Sequence, residues 1–116
     1  MILGSLDLYD FVVEYVSKAG VPFLVVGYML VAESKGTMLA EDVFSGISWL
    51  VAHATKLEVD NNRIAIMSDS GGGPPAVGAA IIARERKVTL AHQILIYPML
   101  DDRNLQPALF IKPFAI

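Results

Sequence analysis

The sequence predicts an α/β protein built on a parallel sheet, three strands alternating with three helices. Three observations carry this. Short apolar runs rich in branched and aromatic residues at 22–28, 63–67 and 93–97 read as strands buried on both faces. The stretches before and between them are of helical length, with apolar residues recurring at helical spacing. The hydrophobic content of 54% and mean hydropathy of +0.53 suit a sheet covered by helices. Strand and helix alternation of this kind implies parallel pairing with right-handed crossovers.

Residues 7–19 place Leu8, Phe11, Val12, Tyr15 and Val16 on one helical face, and Gly20 and Pro22 follow in the order that ends a helix. The first strand is expected at 22–28, then a loop at 34–36. From 41 to 57, Val43, Phe44, Ile47, Leu50, Val51, Ala54 and Leu57 form one stripe, with Glu41 and Asp42 near the positive end of the macrodipole. Asp60, Asn61 and Asn62 form a turn before the second strand at 63–67. Ser70 to Gly73 is a tight glycine-rich turn. Pro74 and Pro75 fit a helix only in its opening turn, where amide donors lack partners anyway, so the third helix is expected to start about there and run to Arg86. The third strand follows at 93–97, and the tail at 105–116 has no clear period.

At 116 residues the chain fits one domain, short for an α/β enzyme. A net charge of -3 with scattered Lys and Arg offers no basic stripe, which argues against a nucleic-acid partner. The absence of cysteine excludes disulfides and thiolate metal sites and is compatible with a cytoplasmic location. The longest uncharged apolar run, 19–32, falls short of the roughly 20 residues of a spanning helix. The N-terminus has no positive flank before an apolar stretch, so no secretory signal is expected.

The chemically informative stretch is Ser68-Asp69-Ser70-Gly71-Gly72, between an expected strand and an expected helix. A sharp strand-to-helix turn exposes one side chain above the sheet edge and points backbone N–H groups at developing negative charge, which needs small neighbours. The nucleophile-elbow pattern G-x-S-x-G fits except that Ser68 replaces the leading glycine. In wider context, Val59-Asp60-Asn61-Asn62-Arg63-Ile64-Ala65-Ile66-Met67-Ser68-Asp69-Ser70-Gly71-Gly72-Gly73 resembles the V-D-x-x-R-I-A-V-x-G-D-S-A-G-G segment of hormone-sensitive-lipase-like esterases, a group of α/β-hydrolases. Tyr28-Met29-Leu30-Val31-Ala32-Glu33 is similar to a degraded Y-R-L-A-P-E, with Glu41, Asp42 and Trp49 at the family spacing after it. Leu95-Ile96-Tyr97-Pro98-Met99-Leu100-Asp101-Asp102 resembles L-I-Y-P-x-L-D-D, and Leu3-Gly4-Ser5 resembles the residues after the family's H-G-G-G.

The resemblance implies a carboxylic ester hydrolase with Ser70 as nucleophile, the Gly71 N–H as an oxyanion donor and Asp69 in a structural role, acting on a small-molecule ester without cofactor or metal. It also implies that residues 1–116 are a partial α/β-hydrolase domain, lacking the strand with H-G-G-G and the later segment with the triad acid and histidine. That absent strand would lie, in space, between the first two strands expected here. The chain's two histidines do not fill the gap. His53 precedes the serine beside Trp49 and suits packing. His92 enters the third strand at the end remote from Ser70. Asp101 and Asp102 suit capping or pairing, and Tyr28 suits packing at a strand end. The isolated chain is therefore expected to be inactive or nearly so. Two other readings stand beside this one. A non-catalytic binding protein could keep the hydrolase fold, given Ser68 and Pro74. The spacing Gly71-x-Gly73-x-x-Ala76 after a strand resembles a dinucleotide fingerprint, although Pro74 and Pro75 remove two amide donors and no acid closes the next strand.

Overall fold

A computed structural model describes residues 10–28 and 37–100. The expectations for Leu3-Gly4-Ser5, the loop at 34–36, Asp101, Asp102 and the tail at 105–116 lie outside the described residues. The elements in chain order are α1 (Asp10–Ser17), α2 (Met38–His53), a 3-10 turn (Asn61–Arg63), β1 (Ala65–Asp69), a second 3-10 turn (Ser70–Gly72), α3 (Gly73–Glu85) and β2 (His92–Ile96).

Gly20 adopts φ +77 just past α1 and donates its N–H to the Ser17 carbonyl at 3.0 Å, a stop that glycine makes without steric cost. The exposed face of α1 carries a Lys18–Glu14 pair at 2.7 Å, and Tyr15 stands on it 79% exposed rather than in an apolar stripe. The core is built elsewhere. Val43, Phe44 and Ile47 of α2 meet Ala76, Ala79 and Ala83 of α3 over Ile66 of β1. Small residues on α3 let the two helices approach closely: a Cβ on Gly78 would lie 2.6 Å from Ala40 Cβ. At the far end of α3, Arg86 Nη2 donates to Glu41 Oε1 at 2.9 Å, and its guanidinium lies 4.7 Å from the centre of the Phe44 ring. This couples the last turn of α3 to the first turns of α2. Among the described residues no helix is long and apolar enough to cross a membrane.

β1 and β2 pair in parallel, Ala65 opposite His92 through Asp69 opposite Ile96. They form a two-stranded sheet joined through α3, the strand-helix-strand unit expected of an α/β fold. Asp60 caps the turn before β1 by accepting the Asn62 N–H on Oδ1 at 2.8 Å. Pro74 and Pro75 fall in the first turn of α3 as their missing donors require.

Two expectations need correction. Among the described residues the sheet has two strands, not three: residues 22–28 carry no strand pairing. They are not fully buried either, since Phe23, Leu24 and Val25 are exposed while Val26 and Tyr28 pack against the α2–α3 core. The physical reason is that apolar content creates a strand only where a neighbouring strand supplies hydrogen-bond partners, and the described residues place none beside this run. Burial of the two real strands is also one-sided. Ile66 is buried, whereas Met67 and its register partner Ile94 on the opposite face are 43% and 46% exposed. Both helices of the core cover one face only, so the continuous apolar runs that suggested two covered faces leave one uncovered among the described residues.

Candidate active site

β1 ends at Asp69 in extended backbone, φ -127 and ψ 160, and the next residue, Ser70, turns to φ +44. A non-glycine residue in the left-handed region carries strain of about 1–2 kcal/mol, and it persists only where the surroundings enforce it. Here they do. The Ser70 carbonyl accepts two amide protons, from Gly73 within the 3-10 turn and from Met99 at 3.0 Å. Pro98 closes against Gly73 so tightly that a Cβ there would lie 2.6 Å from Pro98 Cβ and 3.1 Å from Pro98 Cα. The Ser70 hydroxyl lies 3.6 Å from Met99 Sδ, to which it donates.

The turn then runs directly into α3, so the backbone N–H groups of Ser70–Gly72 belong to a helical opening whose first donors have no partner inside the helix. Asp69 precedes that opening without making a side-chain cap to it. Gly71 follows Ser70 directly within this turn. Ser68 occupies the position of the pattern's leading glycine, and among the described residues its Oγ is buried without a hydrogen-bond partner.

The histidines fall where the sequence reading put them. His53 stacks on Trp49, ring centres 4.2 Å apart and planes 20° from parallel, and its Nδ1 lies 2.8 Å from the Trp49 carbonyl, which only an Nδ1–H can satisfy. His92 pairs with Ala65 at the start of β1, while Ser70 follows the end of that five-residue strand. At about 3.3 Å per residue the offset is about 16 Å along the sheet. Neither histidine is positioned as a base for Ser70. Among the described residues no cluster of three or more His, Cys, Asp or Glu side chains is arranged to hold a metal.

Three contributors to the site were not assigned roles from sequence: Gly73, Pro98 and Met99. The last two lie in the stretch that resembles L-I-Y-P-x-L-D-D, and that resemblance was the available signal. Met99 falls on its variable position.

A parallel sheet whose strand breaks at a strained serine into a helix is the architecture of the α/β-hydrolases. Residues 1–112 match the family described as alpha/beta hydrolase fold, and the chain belongs to it. It is 33% identical over 110 residues to ethyl acetate hydrolase of Pseudomonas putida, a match covering 92% of this chain and 35% of that protein. It is 30% identical over 98 residues to arylesterase of Saccharolobus solfataricus, covering 84% of this chain and 32% of the relative. With esterase LipI of Mycobacterium tuberculosis the identity is 29% over 109 residues, 90% of this chain and 33% of the relative. The chain thus spans about a third of the length of these relatives.

Proposed function

We propose that this chain carries the nucleophile segment of a carboxylic ester hydrolase acting on small-molecule esters. The observation that carries the reading is the left-handed serine at the strand-to-helix break, φ +44 at Ser70. Relatives named as esterases support the substrate class. In the proposed chemistry, Ser70 Oγ attacks the ester carbonyl carbon and loses its proton to a base. The carbonyl oxygen becomes an oxyanion facing the Gly71 N–H, the alcohol leaves, and the acyl group stays on Ser70 until water displaces it.

Ser70 needs a base; of the two histidines in these 116 residues, His53 is engaged with Trp49 and His92 lies at the opposite end of the strands. Losing a triad member costs several orders of magnitude in rate in related systems, so these residues alone turn over ester at or near background. The test is hydrolysis of p-nitrophenyl acetate together with fluorophosphonate labelling mapped by peptide mass spectrometry. Slow label found at Ser70, absent in Ser70→Ala, supports the nucleophile. Label at another serine overturns it, and turnover matching an intact esterase overturns the expected inactivity.

A non-catalytic binding protein on the same fold is favoured by one observation, the buried hydroxyl of Ser68 where the elbow pattern has glycine. That reading expects ester binding with no label at Ser70 even in a longer chain that supplies a base.

A further inference from the structure

Met99 touches Ser70 twice. Its backbone N–H donates to the Ser70 carbonyl at 3.0 Å, and its Sδ lies 3.6 Å from the Ser70 hydroxyl. One residue, 29 positions away in sequence, thereby fixes both the main chain and the side chain of the strained serine. Met99 is itself held, because Pro98 before it is wedged against Gly73 of α3.

We propose that the Met99 thioether is the resting acceptor of the Ser70 hydroxyl, a positioning group that keeps the serine in one rotamer until a base takes its proton. This rests on the reading of Ser70 as nucleophile. The chemistry suits the task. A serine hydroxyl left to itself samples three staggered rotamers, and only some aim the oxygen at a substrate. A thioether sulfur is a weak acceptor, so it orients the hydroxyl without competing strongly with an imidazole for the proton. A carboxylate or amide at position 99 would hold the proton more firmly and oppose its transfer. Leucine would fill a similar volume and accept nothing.

The described methionines supply their own controls. Met38, Met67 and Met99 are 49%, 43% and 51% exposed, so none is shut away from peroxide by burial of the whole residue, and among the described residues only the Met99 sulfur has a hydroxyl directed at it. Hydrogen peroxide oxidises a thioether to the sulfoxide by attack of a sulfur lone pair on the peroxide oxygen, and a hydrogen bond accepted by that sulfur lowers its nucleophilicity. The experiment treats the intact chain with dilute hydrogen peroxide and follows sulfoxide formation at each methionine by peptide mass spectrometry. Met99 is expected to oxidise about two- to five-fold more slowly with the Ser70 hydroxyl present than without it, the effect of one weak hydrogen bond. Ser70→Ala and Ser70→Gly should both raise the Met99 rate by that factor and leave the Met38 and Met67 rates unchanged. The pair separates hydroxyl loss from loosening of the loop, because glycine relieves the strain at φ +44 while alanine keeps it. Met99→Leu should leave the fold intact and convert the Ser70 α–β proton couplings from single-rotamer to averaged values. A Met99 rate unmoved in both Ser70 variants, or one that rises only together with the Met38 and Met67 rates, overturns the proposal. These readouts need no base and no turnover, so a failure here is distinct from a failure of Ser70 to label with fluorophosphonate.

Discussion

Ser70 and Tyr97 follow the last register pair of β1 and β2, Asp69 opposite Ile96, and both hold left-handed backbone, φ +44 and φ +37. The two strands therefore break at the same level, and the chain leaves each in a sharp turn. The break after β1 presents Ser70. The break after β2 brings Pro98 and Met99 back across the first turn, where the Met99 amide closes on the Ser70 carbonyl. Two strained residues side by side are tolerated because each turn is braced by the other.

Strain at Ser70 gives the first prediction. Glycine adopts φ +44 freely, so Ser70→Gly should raise stability by about 1 kcal/mol, read as a higher urea midpoint at unchanged slope. Ser70→Ala keeps the Cβ and hence the strain, and should change stability by less than about 0.5 kcal/mol. A lower midpoint for the glycine variant would mean that the hydroxyl contact to Met99 outweighs the backbone strain.

The tight turn at Ser70 and its two flanking elements were legible in the sequence because each rests on a local rule. Small residues around Ser70, prolines confined to a first helical turn, and an apolar stripe on α2 all act within a few positions of one another. The strand expected at 22–28 was not legible as unpaired, because pairing depends on what lies beside it and not on its own residues. The one-sided burial of Met67 and Ile94 failed for the same reason: apolar content reports a capacity for burial, and the cover is supplied by other segments. The Met99 contact with Ser70 joins residues far apart in sequence at a variable motif position, so no local pattern announces it.

Ser68 carries the second prediction. Its buried hydroxyl has no partner among the described residues, a cost of about 1–3 kcal/mol. Ser68→Ala removes that cost and keeps the strand conformation, so stability should rise by about 1 kcal/mol in urea unfolding. Ser68→Gly removes the same hydroxyl but adds roughly 0.5–1 kcal/mol of backbone freedom in the unfolded chain, and should come out near neutral. A loss of stability in the alanine variant would show that the hydroxyl does find a partner.

The Arg86 clamp is predicted to be modest. Its ion pair with Glu41 is about half exposed at both ends, and pairs of that kind contribute about 0.2–1 kcal/mol. Contact with the Phe44 ring adds about 0.5–1 kcal/mol. Arg86→Ala should therefore lower stability by about 1 kcal/mol. Glu41→Ala should cost less, since the ring contact survives it. Salt at 1 M should shrink the Glu41 effect, the exposed pair being screened, and leave most of the Arg86 effect. Equal losses in the two variants at all salt concentrations would assign the whole clamp to the ion pair.

Gly73 tests whether the β2 turn really braces the serine. A methyl group there meets Pro98 Cβ at 2.6 Å and Pro98 Cα at 3.1 Å, a rigid ring and a backbone atom that cannot rotate away. In Gly73→Ala the Pro98–Met99 segment has to move, and the 3.0 Å bond from the Met99 amide to Ser70 is the first thing that movement stretches. Overpacking of this kind costs about 1–3 kcal/mol. The control is Gly78→Ala, whose methyl meets Ala40 Cβ at 2.6 Å in the α2–α3 contact rather than in the turn. Helix propensity alone would make alanine at Gly78 stabilising by about 1 kcal/mol, so a net loss there shows that close helix approach decides the sign. Hydrogen exchange then separates the two sites. Gly73→Ala should lower protection of the Met99 amide by about tenfold beyond the fall in global stability, whereas Gly78→Ala should lower it only in step with global stability. If Met99 protection follows global stability in both variants, the turn after β2 is a passenger, and the conformation of Ser70 is set by β1 and α3 alone.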